Sequence, residues 1–128
     1  SRLFEDIKSN VSNFIKVGNS QMLIRENDVL YIKKDNMKLT YHTQFQDYSS
    51  YIAFNKIEKT LPDNFVRCHR SYIVNIDTIN TIDSIKNYIY LSNNNDVCPI
   101  GPKYKNNLLE VMNNYEYNTK DNEYLNEA

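Results

Sequence analysis

The chain has no tryptophan and, in 128 residues, only two glycines, three prolines and two cysteines. Glycine this scarce leaves no glycine-rich phosphate loop, and no G-x-S-x-G element occurs. The two cysteines and two histidines form no CxxC, HxH or HExxH spacing. Cys68 and His69 are neighbours that would point to opposite faces of a strand, so no metal and no other cofactor is expected. No apolar run approaches the roughly 18 to 20 residues that span a bilayer. The opening residues, Ser1-Arg2-Leu3-Phe4-Glu5-Asp6, also lack the apolar stretch of a signal peptide. These absences lead us to expect a cytoplasmic protein with no membrane partner, and the methionine-free start suggests a piece of something longer.

Neither sign of charge dominates, since 15 basic side chains face 16 acidic ones for a net charge of -1. Four acids (Glu116, Asp121, Glu123, Glu127) and one base (Lys120) lie after residue 112, which leaves the body at +2. A protein of this balance that grips nucleic acid must gather its cations on one edge and rest on few phosphate contacts.

The length suits one domain with a modest core plus ends. Tyrosine is abundant, 11 against 5 phenylalanines, and fits half-buried strands. With glycine scarce, turns must rely on Asn and Asp, which tolerate the left-handed conformation; asparagines cluster at Asn93-Asn94-Asn95, Asn106-Asn107 and Asn113-Asn114.

Leu3, Ile7, Val11 and Phe14 recur at helical spacing, so residues 1–13 read as an amphipathic helix or the end of a linker. From Phe14 the period falls to two. Strands are predicted at Phe14–Val17, Met22–Ile24, Val29–Ile32, Met37–Thr43 and Tyr48–Phe54, with turns at Gly18-Asn19, Asn27-Asp28 and Asp35-Asn36. Asn55 with Glu58 three residues on predicts a helix capped by Asn55 and cut short before Pro62. A second group of strands follows at Phe65–Asn75, Ile79–Ile82, Tyr88–Ser92 and Val97–Ile100. Tyr104, Leu108, Val111, Met112 and Tyr115 then give a helix over about 103–114. The expected fold is mainly β, with short antiparallel sheets, one short internal helix and one C-terminal helix. The folded unit is expected over 14–114, with 115–128 an acidic, flexible tail.

Chemistry concentrates in Phe65-Val66-Arg67-Cys68-His69-Arg70-Ser71-Tyr72-Ile73-Val74-Asn75. Arg67, His69 and Arg70 form a donor cluster suited to phosphates or base edges. This wording, F-x-R-C-H-R-S-Y-I-V-N, resembles the hallmark of LytTR-type DNA-binding domains, the β-rich output modules of many bacterial response regulators. The likeness runs from about Phe14 to Met112. It implies loops and one helix start that read promoter direct repeats through successive major grooves, two copies on half-sites about one helical turn apart, and a receiver domain ahead of the chain if it is a fragment.

The resemblance also implies site residues. Arg70 occupies a position that touches DNA, whereas Arg67 and His69 have a structural alternative, Arg67 by pairing with a nearby aspartate. In Gly101-Pro102-Lys103-Tyr104-Lys105, Lys103 and Tyr104 match the family's pre-helix segment, while Gly101 and Pro102 stand where Ser and Arg would be. Lysines at a helix start, where acids are normally preferred, fit an anion at the free N–H groups, with Lys105 on phosphate; the alternative is that both lysines point into water. Lys34, Asn36 and Lys38 fall in a loop that the family lays against DNA, and an ordinary solvated turn is the alternative there. Cys68 and Cys98 are buried thiols by default, or a reversible redox pair that shifts the contact loops. No carboxylate pair suggests acid/base work, since most aspartates sit beside predicted turns, and no enzyme is expected. The tyrosines could build a stacking platform for single strands, but they also suit cross-strand pairs. The alternative of another class is a β-sheet module that pairs a peptide at an exposed edge without binding DNA.

Overall fold

The computed structural model of the chain describes residues 13–93 and 95–115. Strands β1 (Phe14–Lys16) and β2 (Leu23–Arg25) pair antiparallel, and a 3-10 turn (Glu26–Asp28) follows. Next come β3 (Val29–Asp35), β4 (Lys38–Thr43) and β5 (Asp47–Ser50), helix α1 (Phe54–Thr60), and strands β6 (Phe65–His69) and β7 (Tyr72–Asn75). These five strands make one antiparallel sheet in the order β5-β4-β3-β7-β6. After a 3-10 turn (Ile76–Thr78), β8 (Ile79–Asp83), β9 (Tyr88–Leu91) and β10 (Val97–Pro99) form a three-stranded sheet, and helix α2 occupies residues 105–115.

The five-stranded sheet is buried on both faces, which explains why its central strands read as nearly continuous apolar runs. On one face Val29, Ile32, Leu39, Tyr41, Phe65 and Ile73 pack with Ile15 and Ile24 of the first hairpin and with Phe54 and Ile57 of α1. On the other, Leu30, Tyr31, Val66, Cys68 and Val74 pack with Ile89, Leu91 and Cys98 of the small sheet and with Leu108 of α2. Bulges between Val29 and Tyr31 and between Arg67 and His69 adjust which side chains face which core. Gly18 shows why one of the two glycines sits where it does. Its φ is +56°, and a Cβ there would lie 2.5 Å from Cβ of Ser50.

The mainly β architecture with two helices agrees with the sequence reading, with three local differences. The strand expected over Tyr48–Phe54 ends at Ser50, because Phe54 and Ile57, three apart, both turn into the core and start α1 two residues early. Ala53 therefore holds the N-cap position with no side-chain cap, and Asn55 lies exposed inside the helix. The Asn27-Asp28 turn closes no hairpin, since β2 and β3 belong to different sheets. The expected helix reaching Phe14 loses that position to β1; residues 1–12 of that segment, and the tail from 116, lie outside the described residues.

Candidate nucleic-acid interface

Each position of the signature has a physical task. Phe65 and Ile73 enter one core, Val66, Cys68 and Val74 the other. Asn75, fully buried, donates from Nδ2 to the carbonyl of Val29 at 2.9 Å and accepts at Oδ1 from the amide of Asp77 at 3.0 Å and from Asn64 Nδ2 at 3.0 Å. It thus fastens β7 to the start of β3 and to the turn that leads into the small sheet.

Arg67 is consumed internally. Its Nη1 donates to Glu58 Oε2 at 2.8 Å, its Nε to the His69 carbonyl at 2.8 Å, and its Nη2 to the Arg70 carbonyl. The guanidinium lies 4.4 Å from the Phe54 ring centroid and 5.3 Å from that of Tyr104. Arg67 therefore clamps α1, the β6–β7 turn and the approach to α2 together. The ion pair foreseen with an aspartate is made with Glu58 instead, whose place on α1 brings it to the strand. Hydrogen bonds to a charged group contribute about 1.5–3 kcal/mol each when shielded.

His69 is also not the cationic donor of the expected cluster. Its Nδ1 accepts from the Ser71 amide at 3.1 Å, so that nitrogen carries no proton. Partial burial, then the neighbouring Arg70 and Arg67, hold its pKa below the usual 6.5. The donor cluster thus reduces to Arg70, whose side chain is exposed on the turn.

Three segments meet along one edge. The β3–β4 hairpin ends at the opposed pair Asp35 and Lys38, with Asn36 in the left-handed region at φ 57°. Its flank is tied to the β6–β7 turn by the Lys34 amide, which donates to the Ser71 carbonyl at 2.8 Å, and by Lys33 Nζ, 5.7 Å from the Tyr72 ring centroid. The Gly101 amide donates to the Cys68 carbonyl at 2.8 Å, which sets the segment before α2 beside the same turn. Tyr104 donates its amide to the Gly101 carbonyl and is half-buried against Arg67. Lys34, Asn36, Lys38, Arg70 and Lys103 are all exposed on this edge. Lys105 differs, because its Nζ donates to the Ser84 carbonyl at 2.5 Å.

That bond exposes a segment the sequence reading passed over. The β8–β9 turn, residues 84–87, reaches the same edge, held by Lys105 at one end and by the Ile100 amide on the Asn87 carbonyl at 2.9 Å at the other. The only advance signal was an Asp83-to-Asn87 stretch with turn-forming residues at both ends.

Cys68 and Cys98 are free, fully buried and in the same core. Burial pushes the Cys68 thiol up to about 12, and burial with the adjoining Cys68 pushes Cys98 up as well. No group of three His, Cys, Asp or Glu side chains among the described residues could hold a metal ion. No helix among them is long and apolar enough to cross a membrane.

A sheet-borne edge of loops with exposed cations and a helix start defines a β-rich nucleic-acid-binding domain. The LytTr DNA-binding domain family matches over residues 19–113, and the chain belongs to that family. The family is one of DNA-binding domains. It is 30% identical over 78 residues to the transcriptional regulatory protein LytR of Staphylococcus aureus (strain N315), a match covering 60% of this chain and 32% of that protein. It is 27% identical over 101 residues to the sensory transduction protein LytT of Bacillus subtilis (strain 168), covering 77% and 42% respectively. The chain spans about a third to two fifths of the length of these relatives. The fold is similar to the LytTr DNA-binding domain of a methyl-accepting/DNA response regulator from Bacillus cereus, with a TM-score of 0.66 and 22% identity over 79% of this chain and 95% of that one.

Proposed function

We propose that the chain is the DNA-reading output domain of a two-component response regulator, acting in the cytoplasm downstream of a receiver domain and without enzymatic activity of its own. Arg70 and Lys103 are its principal base-reading side chains. Asn36 and Lys38, with Lys34, are secondary contacts from the hairpin tip, and Tyr104 and His69 support the two loops from behind. Promoter direct repeats are the target, read through major grooves by two copies on half-sites about one helical turn apart. The observation that carries this reading is the meeting of the hairpin tip, the β6–β7 turn and the start of α2 on one edge, with Arg67 spent inside and Arg70 and Lys103 left exposed.

Fluorescence anisotropy against AT-rich promoter duplexes and a scrambled control, across a salt series, tests it. Arg70→Ala and Lys103→Ala are each expected to cost about 1–3 kcal/mol, roughly 5- to 150-fold in affinity, on the matched duplex and far less on the control. Selectivity absent at every salt concentration, with both variants equal to the parent, would instead favour a peptide-pairing module, whose binding changes little with salt.

A further inference from the structure

The turn at residues 84–87 is built like a presenting element. Oδ1 of Asp83 accepts from the amides of Ile85 at 3.0 Å and Lys86 at 2.9 Å. The Asn87 amide donates to the Asp83 carbonyl at 2.8 Å, with Asn87 at φ 62°. Such a turn needs no side chain from Ile85 or Lys86 to close, and both project outward: Ile85 is 91% exposed and Lys86 is exposed. The tip of the β3–β4 hairpin has the same make-up, with Asn36 at φ 57°, Met37 78% exposed and Lys38 exposed. Two rigid turns on one edge thus each offer an apolar side chain beside a lysine, closed by a left-handed asparagine.

Lys105 links the second turn to α2. Lys105 keeps one of its three N–H donors on the Ser84 carbonyl, which ties it to the turn, whereas the Lys86 ammonium makes no ion pair among the described residues and has the Asp83 carboxylate as a charged neighbour. We propose that Lys86 supplies a DNA phosphate contact from this turn, that Ile85 shields that contact from water, and that Lys105 is a positioning residue that holds the turn against the start of α2. This rests on the DNA-reading function proposed above.

The chemistry separates the two lysines. A phosphate contact carries no base information, so its loss should weaken matched and scrambled duplexes alike and reduce the slope of log K against log salt by about 0.9. Lys86→Gln is expected to show both effects, with a several-fold loss at low salt. Ile85→Ser is expected to give a smaller loss that grows less with dilution of salt. Lys105→Met should act through the turn, so that Lys86→Gln adds almost nothing in its background. Thermal melts of each variant confirm that the surface changes leave the fold intact.

Lys86→Gln indistinguishable from the parent in affinity and slope would overturn the assignment. Additive losses in the double variant, with each lysine taking its own share of the slope, would overturn the positioning role of Lys105, because Lys105 would then be a second phosphate ligand. Arg70→Ala serves as the control. If it weakens binding while Lys86→Gln does not, only the turn's role fails; if the parent binds no duplex selectively, the underlying function fails and the turn's role with it.

Discussion

The electrostatics of the edge are decided by what two neighbouring side chains do not contribute. Arg67 and His69 flank Cys68 and precede Arg70, yet one is neutralised by Glu58 and the other is held as a neutral hydrogen-bond acceptor. Protonating Nδ1 of His69 would turn the Ser71 amide against a donor and bring a charge beside two guanidiniums. Its folded pKa is therefore below the unfolded 6.5, and the ring is uncharged at neutral pH. Two consequences follow for one NMR titration. The His69 Cε1 proton should titrate with a midpoint below 6.5, so acidification adds positive charge to the edge only under that value. Arg70→Ala should move the midpoint upward by removing a repelling neighbour. A midpoint at or above 6.5, unmoved in the variant, would contradict the assigned tautomer.

At the level of elements, β6 and β10 carry the two thiols into one core immediately before the two segments that present Arg70 and Lys103. A Cys68–Cys98 bridge would therefore act on both contact segments at once, and it remains our proposal for a redox response. Thiols held above the normal range contain almost no thiolate at pH 7, and thiolate is the reacting species. Oxidation must wait for the packing between β6 and β10 to open. We expect the native protein to react slowly with a thiol reagent, with a large acceleration in mild denaturant, and peroxide to change DNA affinity in the parent but not in Cys98→Ser. An equal response in both proteins would rule the bridge out.

The strands themselves were legible because alternation and turn-forming asparagines mark them locally. The C-terminal helix was legible through Leu108, Val111 and Met112 at helical spacing. What could not be read depends on contacts distant in sequence. Glu58 reaches Arg67 from nine positions away on another element, and Lys105 reaches Ser84 across 21. The start of α1 depended on Phe54 finding a core that only the assembled sheet provides. Of the proposed contact residues, Arg70, Lys103 and the hairpin tip were named through the family resemblance and stand exposed, whereas the bond of Lys105 to Ser84 was not foreseen.

Across the whole molecule, a net charge of -1 must coexist with attraction to a polyanion. The described fold resolves this by position: Lys34, Lys38, Arg70, Lys86 and Lys103 are exposed on or beside the edge, while Arg67 and Lys105 hold its parts together. Affinity should then be limited by how many of these cations reach phosphates, since those that read bases displace fewer counterions. With about three to five phosphates neutralised per domain, the slope of log K against log salt should fall between about -3 and -5 on a duplex with one half-site. On our proposal that a duplex with two half-sites a helical turn apart seats a second copy through the same edge, the slope for the full complex should double rather than rise by a fraction. A single half-site slope near zero would mean that the edge does not meet phosphate. One steeper than about -8 would require cations from a second face, and the one-edge geometry would be wrong.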